Sequence, residues 1–349
     1  MKIDQEIKLD FGDVLIRPKR SELGSRSDVD PLREFQFKYS KKKWKGIPII
    51  SSNMDTTGTI PIYNVLSQHK MITCLHKFHT ADDFNSLDLN NFDKDYYALS
   101  TGISDNDWKN FNENMTVLDP NFVCIDVANG YSVKFIDYVR KVREKFPETT
   151  LIGGNVVTRE LVEELIINGG LDIIKIGIGN GSVCTTRIQT GVGYPQLSAV
   201  IECSDAAHGV GGHIISDGGV KCSGDVAKAF GAGADFVMSG SLFAGHDESS
   251  GDLIEENGKK YKRFYGMSSS NAMTKYYGGV AKYRSAEGKE VKIPYKGPVE
   301  NTVLSILGGI RSTMTYIGAK RLKDLPRCTT FLRVNRQVNT LFSDKEFLI

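Results

Sequence analysis

Eight short apolar runs, each closed by small or polar residues, constrain the fold of this 349-residue chain more than any other feature. They are IPIISSN from Ile47, MITCLHK from Met71, YYALSTG from Tyr96 and NFVCIDVANG from Asn121. TLIGGNVV from Thr150, DIIKIGIG from Asp172, HIISDGG from His213 and DFVMSG from Asp235 follow. Near-continuous apolar runs of this length suit strands buried on both faces of a parallel sheet. Helical patterns such as SVKFIDYVRKVREKF and TRELVEELIINGG lie between most of them. Two units share one joint: NGGLDIIKI and GAGADFVMS both run helix end, glycine cap, aspartate, strand. Eight strands alternating with helices predict an α/β chain folded as a (β/α)8 barrel. An open doubly wound sheet predicts a dinucleotide fingerprint, and no G-x-G-x-x-G lies between an early strand and a helix.

Such barrels place their chemistry at the carboxyl ends of the strands. Those ends carry Asn53, Asp55, His76, Lys77, Asp126, Asn129, Asn155, Asp217, Gly218, Gly219 and Gly240. Any one of them is at least as well explained by a structural role. Gathered on one rim, they predict a polar, phosphate-bearing ligand, with SDGG and SGS after the last two strands as its phosphate site. The sixth strand runs into GIGNGSVCTTR, Gly177–Arg187. A free cysteine is usually a small packed hydrophobe. Glycines before Cys184 and hydroxyls after it make a nucleophile an equal reading.

The other cysteines, Cys74, Cys124, Cys203, Cys222 and Cys328, are widely spaced, without C-x-x-C or metal-like pairing with histidine. Reduced thiols and a cytoplasmic setting are expected. The opening MKIDQEIKLD lacks the apolar core of a secretory signal, and no apolar run approaches the roughly 20 residues of a membrane span. A formal net charge of +2 gives no global field toward nucleic acid or membrane. The basic stretches RPKRSELGSR and KYSKKKWKG read first as solvated faces, ahead of RNA binding; gripping cofactor phosphates is a third use. The chain is expected to be a single barrel domain over 1–349. Residues 246–298, polar and glycine-rich, are expected to leave the barrel as a flap, with a hairpin across Asn257-Gly258.

Several segments together resemble one known family. GIGNGSVCTTR, SDGG, YGMSS and RSAEGK are similar to the IMP dehydrogenase and GMP reductase family. LDFGDVLIRPKRSELGSRSDVD, DVANGYS, GGNVVT, TGVGYPQLSAV, GDVAKAFGAGADFVM, KGPVENTV and LGGIRST resemble its reductase branch, so the likeness covers nearly the whole chain. The dehydrogenases usually insert a pair of regulatory CBS domains, for which this chain has no room. Their flap also carries an Arg-Tyr pair, where KYRSAEGK here has Glu287.

The resemblance implies reductive deamination of GMP by NADPH to IMP and ammonia, within purine nucleotide salvage and interconversion. It makes Cys184 a nucleophile that forms a covalent thioimidate at carbon 2 of the purine. Thr186 and Glu287 together protonate the departing ammonia. It assigns nucleotide contacts to Ser182, Asp217, Gly218, Gly219, Gly240, Ser241, Gly266, Met267, Ser268, Arg284 and Gly288. Cofactor contacts fall to Ser25, Arg26, Lys77, Asp126, Val127, Ala128, Ser312, Thr313, Met314 and Thr315. The last four of these serve a neighbouring subunit of a homo-oligomer, a tetramer as in the family. Carbonyls of Gly179, Gly181 and Cys184 are implied to hold a monovalent cation, usually K+. Asn180 stands where proline is usual, Ser241 where a second glycine is usual, and GGVKCSGD looks more like the dehydrogenase branch. A short IMP dehydrogenase is the alternative enzyme. An idle nucleotide- or RNA-binding barrel would need no joint presence of Cys184, Thr186 and Glu287.

Overall fold

The computed structural model describes residues 3–85, 87–89, 92–279 and 285–335. Its centre is a closed barrel of eight parallel strands. They are β1 (Ile49–Ser51), β2 (Ile72–Leu75), β3 (Tyr97–Thr101) and β4 (Phe122–Asp126), then β5 (Thr150–Val156), β6 (Ile173–Ile176), β7 (His213–Asp217) and β8 (Phe236–Ser239). All eight expected runs form these strands, in chain order around the barrel. Nearly every strand residue is buried, because one face meets the barrel interior and the other the surrounding helices.

Helices α1 (Ile60–Leu66), α2 (Ala81–Asn85), α3 (Asp105–Leu118), α4 (Val133–Lys145) and α5 (Arg159–Ile167) follow the first five strands. After β6 come a short α6 (Thr186–Thr190) and α7 (Gln196–Gly209); α8 (Ser223–Gly231) follows β7. Side-chain caps start several of them: Ser104 accepts from the amide of Asp107, and Ser132 from that of Phe135. Helix α4 shows how pattern becomes packing, with Phe135, Tyr138, Val139 and Val142 on its buried stripe.

The repeated joint has a common purpose. Asp172 and Asp235 each turn a carboxylate onto the first amides of a neighbouring strand, Leu151 at 3.0 Å and Ile214 at 3.1 Å. Arg143 closes the first joint at 2.7 Å from Asp172.

KYSKKKWKG has a solvated face, carrying Lys41, Lys43 and Lys45, and a buried one that the sequence reading did not anticipate. Arg33–Gln36 and Lys43–Gly46 pair as an antiparallel hairpin. Phe35, Phe37 and Trp44 pack with Ile50, Cys74, Phe122 and Phe236 of the barrel interior. The hairpin therefore plugs the end where the strands begin, while Lys43 and Lys45 point to solvent. Gripping a ligand at the other rim is not its task.

After β8 the chain builds a three-stranded antiparallel sheet from β9 (Leu253–Glu256), β10 (Lys259–Tyr265) and β11 (Glu290–Pro294). Asn257 and Gly258, both at positive φ, make the tight turn of its hairpin. Between β10 and β11 lies α9 (Ser270–Tyr277), and α10 (Val299–Ile317) returns to the barrel wall. Phe264 packs on Val183 and Ala244, which seats this sheet against the loop that follows β6. Among the described residues no helix is long and apolar enough to cross a membrane.

Candidate active site

A cavity of about 290 Å3 opens at the carboxyl ends of the strands. Its wall gathers residues distant in sequence: Asp126, Val127 and Ala128 after β4, the loop 177–184 after β6, and Asp217, Gly218 and Gly219 after β7. Gly240 and Ser241 follow β8, and Gly266, Met267, Ser268, Glu287 and Gly288 come from the excursion. Ser182, Cys184 and Thr186 stand in the same wall. All three expected catalytic residues and every described nucleotide position thus share one cavity. Arg284 lies outside the described residues.

Two contacts order the chemistry at its centre. The Cys184 thiol donates to Thr186 Oγ1 at 3.1 Å, and the Thr186 hydroxyl donates to Glu287 Oε2 at 2.8 Å. The backbone fixes this chain of atoms. Thr185 N–H reaches the Glu287 carbonyl at 2.8 Å, Lys289 N–H reaches the Val183 carbonyl at 2.9 Å, and Cys184 bridges Gly288. Glu287 belongs to the excursion, so the excursion completes the site. Cys184 is half-buried, whereas burial pushes the thiols of Cys74 and Cys203 up, the latter to about 12. Those two are inert at neutral pH.

The same cavity wall holds a charged cluster that the sequence hid. Lys175, buried on β6, contacts Asp126 and reaches Asp217 Oδ2 at 3.2 Å. Asn155 donates to the same Asp217 oxygen at 2.8 Å and to the Gly177 carbonyl at 2.7 Å. The two carboxylates hold the Lys175 ammonium well above its ordinary pKa despite burial. Asp126 is half-buried, and Lys175 and Asn53 keep its carboxyl below the usual range against the cost of desolvation. Asp217 enters the cavity already oriented, with a fixed acceptor face. Gly154 is required beside this lysine, because a Cβ there would stand 2.7 Å from Lys175 Cβ. One lysine among isoleucines in IIKI was the available signal.

Gly218 and Gly219 both take positive φ, 81° and 78°. The tight turn exposes backbone beside the amides of Gly240 and Ser241, a cradle open to an anion. Ser241 turns its hydroxyl to the Val220 carbonyl at 3.3 Å, so its backbone is what it offers to the cavity. Asn180 donates to the Asp217 carbonyl at 2.7 Å, a loop contact that proline could not make.

Asp126, Val127 and Ala128 border the cavity, but the other expected cofactor residues lie elsewhere. Ser25, Arg26, Ser312 and Thr315 line a separate cleft of about 400 Å3 that shares no residue with the first. Ser312, Thr313 and Thr315 hydroxyls donate to carbonyls one helical turn back, leaving their oxygens as acceptors. Met314 does not face this cleft. Its side chain is fully buried, and its carbonyl already accepts from Gly318 and Ala319. Lys77 is paired with Asp107 at 2.8 Å and sits over the rings of Phe78 and Tyr277. It stands on the rim outside the main cavity.

The excursion is tied down at Asp55, which sequence reasoning placed only on the rim. Its Oδ2 accepts from Tyr265 and Tyr276 hydroxyls, each at 2.6 Å, and from Lys275 at 2.9 Å.

Known proteins are similar to this chain along nearly its whole length. The IMP dehydrogenase / GMP reductase domain model matches residues 8–340. GMP reductase 1 of Homo sapiens is 58% identical over 344 residues, 98% of this chain and 99% of its own. GMP reductase of Caenorhabditis elegans is 56% identical over 98% of this chain and 96% of its own. GMP reductase of Klebsiella pneumoniae is 57% identical over 98% and 99%. A cavity built on Cys184, in a barrel matched along nearly its whole length, places the chain in one lineage: it belongs to the IMP dehydrogenase and GMP reductase family.

Proposed function

We propose that the chain is a GMP reductase that converts GMP to IMP and ammonia at the expense of NADPH. The observation that carries this reading is the ordered relay from Cys184 Sγ through Thr186 Oγ1 to Glu287 Oε2. It runs in the direction that removes the thiol proton. Cys184 sulfur then attacks carbon 2 of the guanine, and Glu287, now protonated, returns the proton through Thr186 to the leaving amine. The carbon–nitrogen bond breaks, ammonia departs, and a thioimidate remains on Cys184. NADPH, when bound, supplies hydride to carbon 2. The carbon–sulfur bond then breaks with its electrons on sulfur, restoring the thiolate. Asp217 holds the ribose hydroxyls, and the amides of Gly219, Gly240 and Ser241 take the phosphate, while that of Gly218 donates to the Met238 carbonyl and shapes the turn. Ser182, Gly266, Met267, Ser268 and Gly288 complete the nucleotide's surroundings.

The residues present suit the cofactor. Val127 and Ala128 offer a place beside the purine, and Asp126 is already locked to Lys175. The second cleft joins a cation, Arg26, to serine and threonine oxygens, a set suited to the phosphate and ribose of NADPH. It is apart from the main cavity, so a neighbouring copy supplies it to each site, and the enzyme is a tetramer. The carbonyls of Gly179, Gly181 and Cys184 are hard neutral donors and would hold K+, stiffening the loop. Residues 246–298 act as the flap of a single barrel domain.

The decisive assay follows nicotinamide absorbance with two substrate pairs. GMP with NADPH is expected to lose the reduced-nicotinamide signal and release ammonia. Gain of that signal with IMP and NAD, and none lost with GMP, would instead make the chain a short dehydrogenase.

A further inference from the structure

The end of the barrel farthest from Cys184 holds a second group of chemistry-bearing side chains. His208 ends α7, His213 begins β7 and Asp235 stands at the entrance to β8. We propose that these three residues form a binding site for a first-row divalent transition-metal ion of the zinc class.

Four observations carry it. The donor atoms are already gathered: His208 Nε2 lies 2.8 Å and His213 Nδ1 3.4 Å from Asp235 Oδ2, and all three atoms fall within 4.8 Å of one another. An ion bound at about 2.1 Å needs donors roughly 3–4 Å apart, so small side-chain shifts suffice.

The second observation is the placement of His213. Its Nε2 faces the Gln36 carbonyl at 3.5 Å and its Nδ1 faces Asp235 Oδ2 at 3.4 Å. Both contacts are long, and the buried Nδ1 is left without a well-formed hydrogen bond beside a carboxylate. An ion of the zinc class set between the two would satisfy both at once. The ring cannot easily turn away, being edge-packed on Phe35 at 5.0 Å and Phe37 at 5.8 Å.

Third, the outer contacts suit a metal. Asp235 Oδ2 also takes the Ile214 amide at 3.1 Å, and Oδ1 lies 3.4 Å from an Arg33 nitrogen. Arg33 thus sits on the carboxylate oxygen away from the imidazoles, where it orients the ligand. The sister joint at Asp172 takes Arg143 and the amides of Tyr39 and Leu151, with no imidazole among these partners; Asp235 faces two imidazoles besides Arg33. Fourth, there is an approach. His208 is 45% exposed and opens on a cleft of about 560 Å3 lined also by Ser204, Asp205 and Arg33. Water can complete the coordination from that side.

The test uses the full chain, stripped with a chelator and titrated with Co2+ and then Zn2+. One equivalent of Co2+ should bind with visible d–d bands and without a thiolate charge-transfer band, and Zn2+ should displace it. His208→Ala, at a half-exposed position, should weaken binding by at least about 100-fold, or about 2.7 kcal/mol, while GMP turnover stays unchanged. His213→Gln should do the same. Absent cobalt bands, a charge-transfer band that places the ion on a cysteine, or unchanged affinity in both variants would overturn the site.

Discussion

Cys184 is set apart from the other thiols by company rather than by type. It is the cysteine in the cavity wall, and its hydrogen is already directed along a path that ends at Glu287. Cys184→Ser should therefore abolish turnover while GMP binding, followed by calorimetry, persists. Retention of more than about a tenth of the rate, a barrier change under about 1.4 kcal/mol, would exclude covalent attack by this sulfur. Glu287→Gln keeps the Thr186 contact but cannot store a proton. Deamination should fall roughly 10²–10⁴-fold, the range for a lost general acid or base. Hydride transfer, run backward from IMP and NADP, should fall much less; equal loss of both would reassign Glu287 to organising the closed site. Neither prediction reaches Lys175, whose role was illegible from sequence. A lone lysine in IIKI has meaning only once β4 and β7 bring Asp126 and Asp217 to it. Cys184, Thr186 and Glu287, by contrast, could be expected together because GIGNGSVCTTR and RSAEGK resemble the family's segments, and the fold brings the three into one cavity.

The elements around the cavity were readable where burial is two-sided and obscure where it is not. Barrel strands show as apolar runs because both faces are covered. The hairpin under the barrel does not, because its alternation, Trp44 between Lys43 and Lys45, lasts only four residues and follows a run of lysines. The excursion was readable as a departure, but its fastening at Asp55 was not, since the partners lie about two hundred residues away. Asp55→Asn replaces the charged acceptor shared by Tyr265, Lys275 and Tyr276. Faster hydrogen exchange in α9 and a lower kcat are expected; unchanged exchange would show that Phe78, stacked on Tyr276 at 3.5 Å, holds the helix instead. The same rim confers acid sensitivity. Burial and the neighbouring His79 push the His76 imidazole down to about 3, and its Nδ1 is buried without a partner. Between the unfolded value near 6.5 and that folded value, the unfolded chain binds the extra proton. Stability should therefore fall as pH falls through this window, by up to about 1.4 kcal/mol per pH unit from this group. His76→Gln should flatten that slope in urea melts; an unaltered slope would mean other groups set it.

At the scale of the whole molecule, two clefts must be reconciled with one reaction. Cys184 and the nucleotide positions share the first, while Ser25, Arg26, Ser312 and Thr315 share the second. A cofactor spanning both within one chain would need them to be continuous, and their walls have no residue in common. The proposed supply of the second cleft by a neighbouring copy would resolve this, and it makes a prediction that single-site kinetics cannot imitate. Arg26→Glu should raise KM for NADPH with GMP affinity little changed, because it adds repulsion where a phosphate is expected. Cys184→Ser should be inactive in every subunit. Coexpressed with separate tags and purified through both, the two variants form mixed oligomers. In them some sites combine an intact Cys184 from one copy with an intact Arg26 from its neighbour. Turnover at low NADPH should then exceed the sum of the two parents, and size-exclusion chromatography should show the species as oligomers. A mixed preparation no more active than its parents would place both clefts in the service of a single chain.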